Sequence, residues 1–159
     1  MMPAAQAIPL PARRYLPGVN ERHPEDAFDH VKALCAERTD EPGAARNTAW
    51  HYGLRLFNGG FYWEAHEVLE EVWRRARPNS RERYLVQCVI HLANGALKLS
   101  LGRTRAAVRL SGLADECRLR AFSGGRRSAM GLDGGAVEEN CEALSAARLP
   151  TALSTRYEL

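Results

Sequence analysis

Apolar residues recur at helical spacing through most of the chain. Trp50, Leu54 and Phe57 stand at i, i+4 and i+7, which predicts a helix from Ala44 onward. Asn58-Gly59-Gly60 ends it, because glycine accepts the left-handed backbone of a C-cap. Ala65, Val68, Leu69, Val72 and Trp73 make the stripe of a second helix over about 61–77, stopped by Pro78. Asn79 and Glu82 have the spacing of a capping box, with Ser80 as a rival cap. A third helix is expected over about 80–101, closed by Gly102, and a fourth over about 104–122. The glycines between 124 and 135 read as a loose connection, followed by a last helix over about 136–147. No segment alternates with period two, and no internal repeat is visible. The expected fold is all-α: an antiparallel helical bundle of about five helices, with short links that make sequence neighbours spatial neighbours.

The beginning of the chain reads differently. Pro3, Pro9, Pro11, Pro17 and Pro24 remove backbone donors and restrict the residues before them, so an extended arm is expected. The expected organisation is an arm over 1–43 with a short helix near 25–37, a bundle over 44–148, and a C-terminal tail over 149–159. No apolar run approaches the ~18 residues of a membrane span, and the start lacks the pattern of a signal peptide. Cys35, Cys88, Cys117 and Cys141 form no C-x-x-C pair and read as small buried hydrophobes of a reducing compartment. A cytoplasmic protein with no membrane partner is the expectation.

The net charge of +3 is small, but it is unevenly spread. Residues 72–127 carry 13 basic and 3 acidic groups, whereas 1–71 carry 7 and 11 and 128–159 carry 2 and 5. Solvated helix faces that balance charge within the molecule would account for this. An RNA or phosphate surface over 74–109, with Arg74, Arg75, Arg77, Arg81 and Arg83 at a hairpin tip, is the alternative.

Two sets of polar residues carry the candidate chemistry. On the third helix, at ~100° per residue, Tyr84, Gln87, His91, Asn94 and Lys98 fall on one narrow stripe of an otherwise apolar helix. Lys98 is the one full charge from Leu85 to Leu99, and Gln, His and Asn are the residues expected where polar groups are buried and hydrogen-bonded. On the second helix, Glu64-Ala65-His66-Glu67-Val68-Leu69-Glu70-Glu71 places His66 and Glu70 on one face and Glu64, Glu67 and Glu71 on a neighbouring one. A tight hairpin at 77–80 would set Glu70 level with Gln87 and His66 level with His91.

The expected polar cluster is therefore Glu64, His66, Glu67, Glu70, Gln87, His91 and Asn94. Three roles fit it. It can be a structural network that fixes the register of two helices. It can be a divalent-metal site on His66, Glu70 and His91 with Glu67 as base, the arrangement of a metal-dependent hydrolase. It can also be a metal-free site for a small molecule or for acid–base work, and the expected role is binding a small ligand or supporting an interface with a protein partner. No nucleophile elbow and no glycine-rich phosphate loop accompany it.

Phe57-Asn58-x-Gly60-x-Tyr62-x-Glu64-Ala65-His66-Glu67-x-x-Glu70-x-x-Trp73, followed by Gln87-x-x-Ile90 and the Gly102–Leu110 stretch, closely resembles the bacterial and archaeal family called domain of unknown function 309. The resemblance covers about 45–147. Arg13-Arg14-Tyr15-Leu16-Pro17-Gly18 with Arg22-His23-Pro24 is similar to the lead-in of some proteobacterial members. The resemblance implies an all-helical bundle and no established activity. The family pattern often has Gln where this chain has His91, which implies a hydrogen-bonding role there.

Overall fold

The computed structural model describes residues 4–157, so the ends of the expected arm and tail, 1–3 and 158–159, lie outside the described residues. Its helices are α1 (Asp29–Lys32), α2 (Thr48–Asn58), α3 (Tyr62–Arg74), α4 (Arg81–Ser100), α5 (Thr104–Ala121) and α6 (Gly134–Ser145). From α2 to α6, consecutive helices pack on one another, and α4 also touches α6. The expected bundle is thus present, with the apolar positions Trp50, Leu54, Leu69, Val72, Leu85 and Leu92 fully buried. Among the described residues no helix is long and apolar enough to cross a membrane.

Local chemistry sets the helix ends. Gly60 takes φ +82°, the Gly60 N–H donates to Phe57 O and the Phe61 N–H to Leu56 O, which is the Schellman pattern closing α2. At the start of α4 the Ser80 hydroxyl accepts the Arg83 N–H at 3.1 Å. Ser80 is the cap, and Asn79 instead adopts a left-handed φ of 63° in the turn before it. Glu82, expected to complete a capping box, accepts the Glu41 N–H at 3.2 Å.

Three expectations need correction. The segment expected as a helix near 25–37 holds only the single turn of α1, although its Val31 is fully buried. The glycine-rich connection contains an antiparallel hairpin, β1 (Ser128–Ala129) and β2 (Leu132–Asp133). Its turn residues Met130 and Gly131 have φ of 44° and 82°, and paired positive values match the twist of a two-residue hairpin. Met130 is fully buried, its carbonyl accepts the Trp50 indole N–H at 3.1 Å, and its N–H donates to the Glu41 carboxylate at 2.5 Å. The last helix begins two residues early, at Gly134, because the Asp133 side chain caps the Ala136 N–H.

The flanking segments fold onto the bundle. The Arg55 guanidinium donates to the carbonyls of Ala5 and Ile8 at 2.5 and 2.8 Å, and the Tyr52 hydroxyl donates to Pro9 O at 2.9 Å. At the other end Leu153 is fully buried, and the Asn58 amide both donates to Leu153 O and accepts its N–H. Both segments therefore contribute to one apolar core.

Candidate functional site

Helix α3 buries one face in the core and leaves two polar flanks. At ~100° per residue, Glu64, Glu67 and Glu71 lie on one flank, and His66 lies on the other beside Tyr62 and Trp73. The structure gives these flanks different neighbours.

The first flank faces the arm. Glu64 is completely buried. Its Oε2 accepts the Tyr15 N–H at 2.7 Å and lies 2.7 Å from His23 Nε2. Aromatic rings close the junction. Tyr15 meets Trp63 edge-on with centroids 4.9 Å apart, and His23 meets Phe28 edge-on at 5.5 Å. The Arg22 guanidinium lies 5.4 Å over the Trp63 ring. Glu64 Oε1 is buried without a partner. Further along, Glu67 approaches Lys32 of α1 at 3.8 Å. Glu71 accepts two bonds from Arg74 and one from Arg75, at 2.9, 2.5 and 2.8 Å. The Arg74 guanidinium, with Arg75, holds the Glu71 carboxyl below the usual carboxylate range.

The second flank faces α4. His66 and Glu70 approach only to 3.9 Å, with side chains 33% and 61% exposed, so this is a solvated contact. On α4, Tyr84, Gln87, His91, Asn94 and Lys98 are each half-buried, forming a stripe between α3 and α5. The Gln87 amide and His91 Nε2 are 3.2 Å apart. His91 Nδ1 is buried without a partner. Burial pushes the His91 pKa below the usual histidine value, helped by His66 and Arg109 and opposed by Glu116. His66 is thus close enough to His91 to act on it electrostatically. Among the described residues, the side chains of Asn94 and Lys98 make no hydrogen bond or ion pair, although the Lys98 carbonyl accepts the Leu101 and Arg103 N–H groups.

The seven expected cluster residues are thus not one network. Glu64 and Glu67 belong to the arm-facing flank, and no hydrogen bond links Glu70 to Gln87. Among the described residues, no group of three or more His, Cys, Asp or Glu side chains is placed to hold a metal ion. His66, Glu70 and His91 do not form such a set. Sequence reasoning did not join Tyr15 and His23 to Glu64, whose environment they complete. All four thiols are free. Contact with Cys141 and burial push the Cys88 thiol well up, and burial raises Cys35 and Cys117, so none of these three is an activated nucleophile.

The basic middle of the chain is not balanced by contact. Of its 13 cations, only Arg74, Arg75 and Arg118 pair with carboxylates among the described residues. Arg81 donates to Ser123 O at 2.7 Å, and Arg83 lies 3.8 Å over the Trp73 ring. Arg120 lies 5.2 Å over the Tyr84 ring and donates to its hydroxyl at 3.3 Å.

Residues 50–110 match the family model described as Domain of unknown function (DUF309). The match supports the resemblance carried by the Phe57–Trp73 pattern. No curated protein and no solved structure is significantly similar to the chain. The DUF309 segment spans most of α2, all of α3 and α4, and the opening of α5. It holds Glu64, His66 and His91, whereas Tyr15 and His23 lie outside it.

Proposed function

We propose that this is a cytoplasmic binding module whose ligand-facing surface is the half-buried stripe Gln87–His91–Asn94, walled by His66 on α3 and Arg109 and Glu116 on α5. The observation that carries it is the buried, unpartnered His91 Nδ1 on the same stripe as Asn94, whose side chain makes no hydrogen bond among the described residues. A buried polar atom without a partner costs about 1–3 kcal/mol, so a stripe serving stability alone would pair it. Neutral imidazole and amide groups suit a hydrogen-bonding ligand. The four free thiols support the reducing compartment.

The test needs no ligand. If the stripe is kept for binding, His91→Leu leaves stability unchanged or raises it by up to about 1 kcal/mol in a denaturant titration. A loss well above 1 kcal/mol would mean that His91 is a structural bond after all.

A metal-dependent hydrolase on His66, Glu67, Glu70 and His91 is less well supported, because Glu67 sits on the opposite flank with Lys32. A second role, polyanion binding through the basic region 74–109, is supported by the cations that lack a carboxylate partner.

A further inference from the structure

The polyanion-binding role leaves open both the ligand and its place on the molecule. A groove of about 610 Å³ lies between the start of α4 and the end of α5. Its lining includes Arg81, Tyr84, Leu119, Arg120 and Ser123. That volume is within the ~300–1,000 Å³ of small-ligand sites. Arg81 and Arg120 have no carboxylate within ion-pair distance among the described residues, and Arg120 already stacks on Tyr84.

The cations continue away from the groove. Arg105, Arg109 and Arg120 lie within about 60° of one another on the α5 wheel, at ~100° per residue. Arg105 and Arg120 are about 22 Å apart along the axis at ~1.5 Å per residue. All three are exposed, and Glu116 is the one carboxylate on that edge. A row of guanidinium groups leading to an aromatic–guanidinium pair combines phosphate tracking with a stacking platform. A duplex offers phosphates but no unstacked base, and a membrane surface would call for more apolar exposure than Val108 and Leu119 of α5 provide.

We infer that the groove and the adjoining α5 edge bind single-stranded RNA, with one base stacked on the Tyr84–Arg120 pair and the phosphates following Arg81, Arg109 and Arg105. This rests on the polyanion-binding role and adds to it the strandedness of the ligand and the seat of one base.

The test is fluorescence anisotropy of a short labelled single-stranded RNA on the full chain, with heparin retention measured in parallel. Three phosphates at ~0.7 counterions each would weaken binding roughly 18-fold between about 50 and about 200 mM salt. Tyr84→Leu should weaken it about 5- to 100-fold without changing the salt slope. Arg120→Gln should weaken it by removing half of the stacking platform, whereas Arg109→Gln should make the slope shallower by about 0.7. Arg148→Gln removes the same charge beyond α6 and should leave binding within about twofold, and circular dichroism checks the fold of each variant. Loss of both heparin retention and RNA binding overturns the polyanion role and this inference with it. Heparin retention alone overturns only the inference. So does equal affinity for a duplex, or an effect of Arg120→Gln no larger than that of Arg148→Gln.

Discussion

Helix α3 carries two Glu–His pairs, and their surroundings differ in almost every respect. Glu64 and His23 are 2.7 Å apart, with side chains 0% and 10% exposed. Glu70 and His66 are 3.9 Å apart, with Glu70 61% exposed. The first pair joins segments 41 positions apart, and the second joins adjacent turns of one helix. Similar residue types therefore do different work on the two flanks. One flank fastens the arm to the bundle. The other leaves its polar groups open beside the half-buried stripe of α4.

The largest expected effect is at the buried pair. Glu64→Ala removes the acceptor for the Tyr15 N–H and the partner of His23, leaving both inside the arm–helix junction. Each buried polar group left without its partner costs about 1–3 kcal/mol, and two are left here. For a chain of this size the sum of about 2–6 kcal/mol lowers Tm by roughly 4–24 °C, at ~2–4 °C per kcal/mol. Protease cleavage within residues 10–24 should rise as the arm loosens. Calorimetry and limited proteolysis check the two parts. A Tm within about 2 °C of the parent would show that the arm is held by its other contacts, such as those of Arg55, and the contrast between flanks would fail.

A second comparison uses pH on the open flank. The folded state lowers the pKa of His91, so between the ordinary histidine value near 6.5 and the depressed one the unfolded chain binds more protons. The contribution of neutral His91 is complete above about pH 6.5 and is lost as pH falls through that window. Burial is the main cause, with His66 and Arg109 acting in the same direction and Glu116 opposing them. In urea titrations the parent should lose stability relative to His91→Leu as pH drops below about 6.5. Parallel pH curves for the two proteins would show that His91 is not the group responsible.

The arm-facing flank was the less legible of the two in the sequence. Periodicity located α2 to α5 because their apolar positions face a common core, and hairpin register groups His66 with His91. The same reasoning kept Glu64 in the wrong company. Its partners lie in a proline-rich arm without a helical period, and no local spacing rule reaches from position 64 back to 15 or 23. The hairpin at 128–133 was hidden for another reason. Strands of two residues cannot display alternation, and Met130-Gly131 lacks the Asn-Gly signal of a two-residue turn. Charge told a similar story. Counting located the basic segment, but only coordinates distinguish Arg74, which is paired with Glu71, from Arg109, which has no carboxylate partner among the described residues.

The smallest expected effect completes the contrast between the two pairs. Glu70→Gln retains the size and helix preference of the side chain while removing its charge. At 3.9 Å, and with most of Glu70 in water, the attraction to His66 is worth no more than about 0.5 kcal/mol. Stability at neutral pH should shift by less than that, and adding salt should change parent and variant alike. The same Glu→Gln change at position 64 should cost about 1–3 kcal/mol, because one amide oxygen can still take both bonds of Oε2 but the NH2 then replaces the buried Oε1 as a donor with no acceptor. The difference between the two substitutions is more informative than either value. If position 70 proved as costly as position 64, burial would not be what separates the flanks. The His66 face would then be part of the scaffold instead of a surface left open for a ligand.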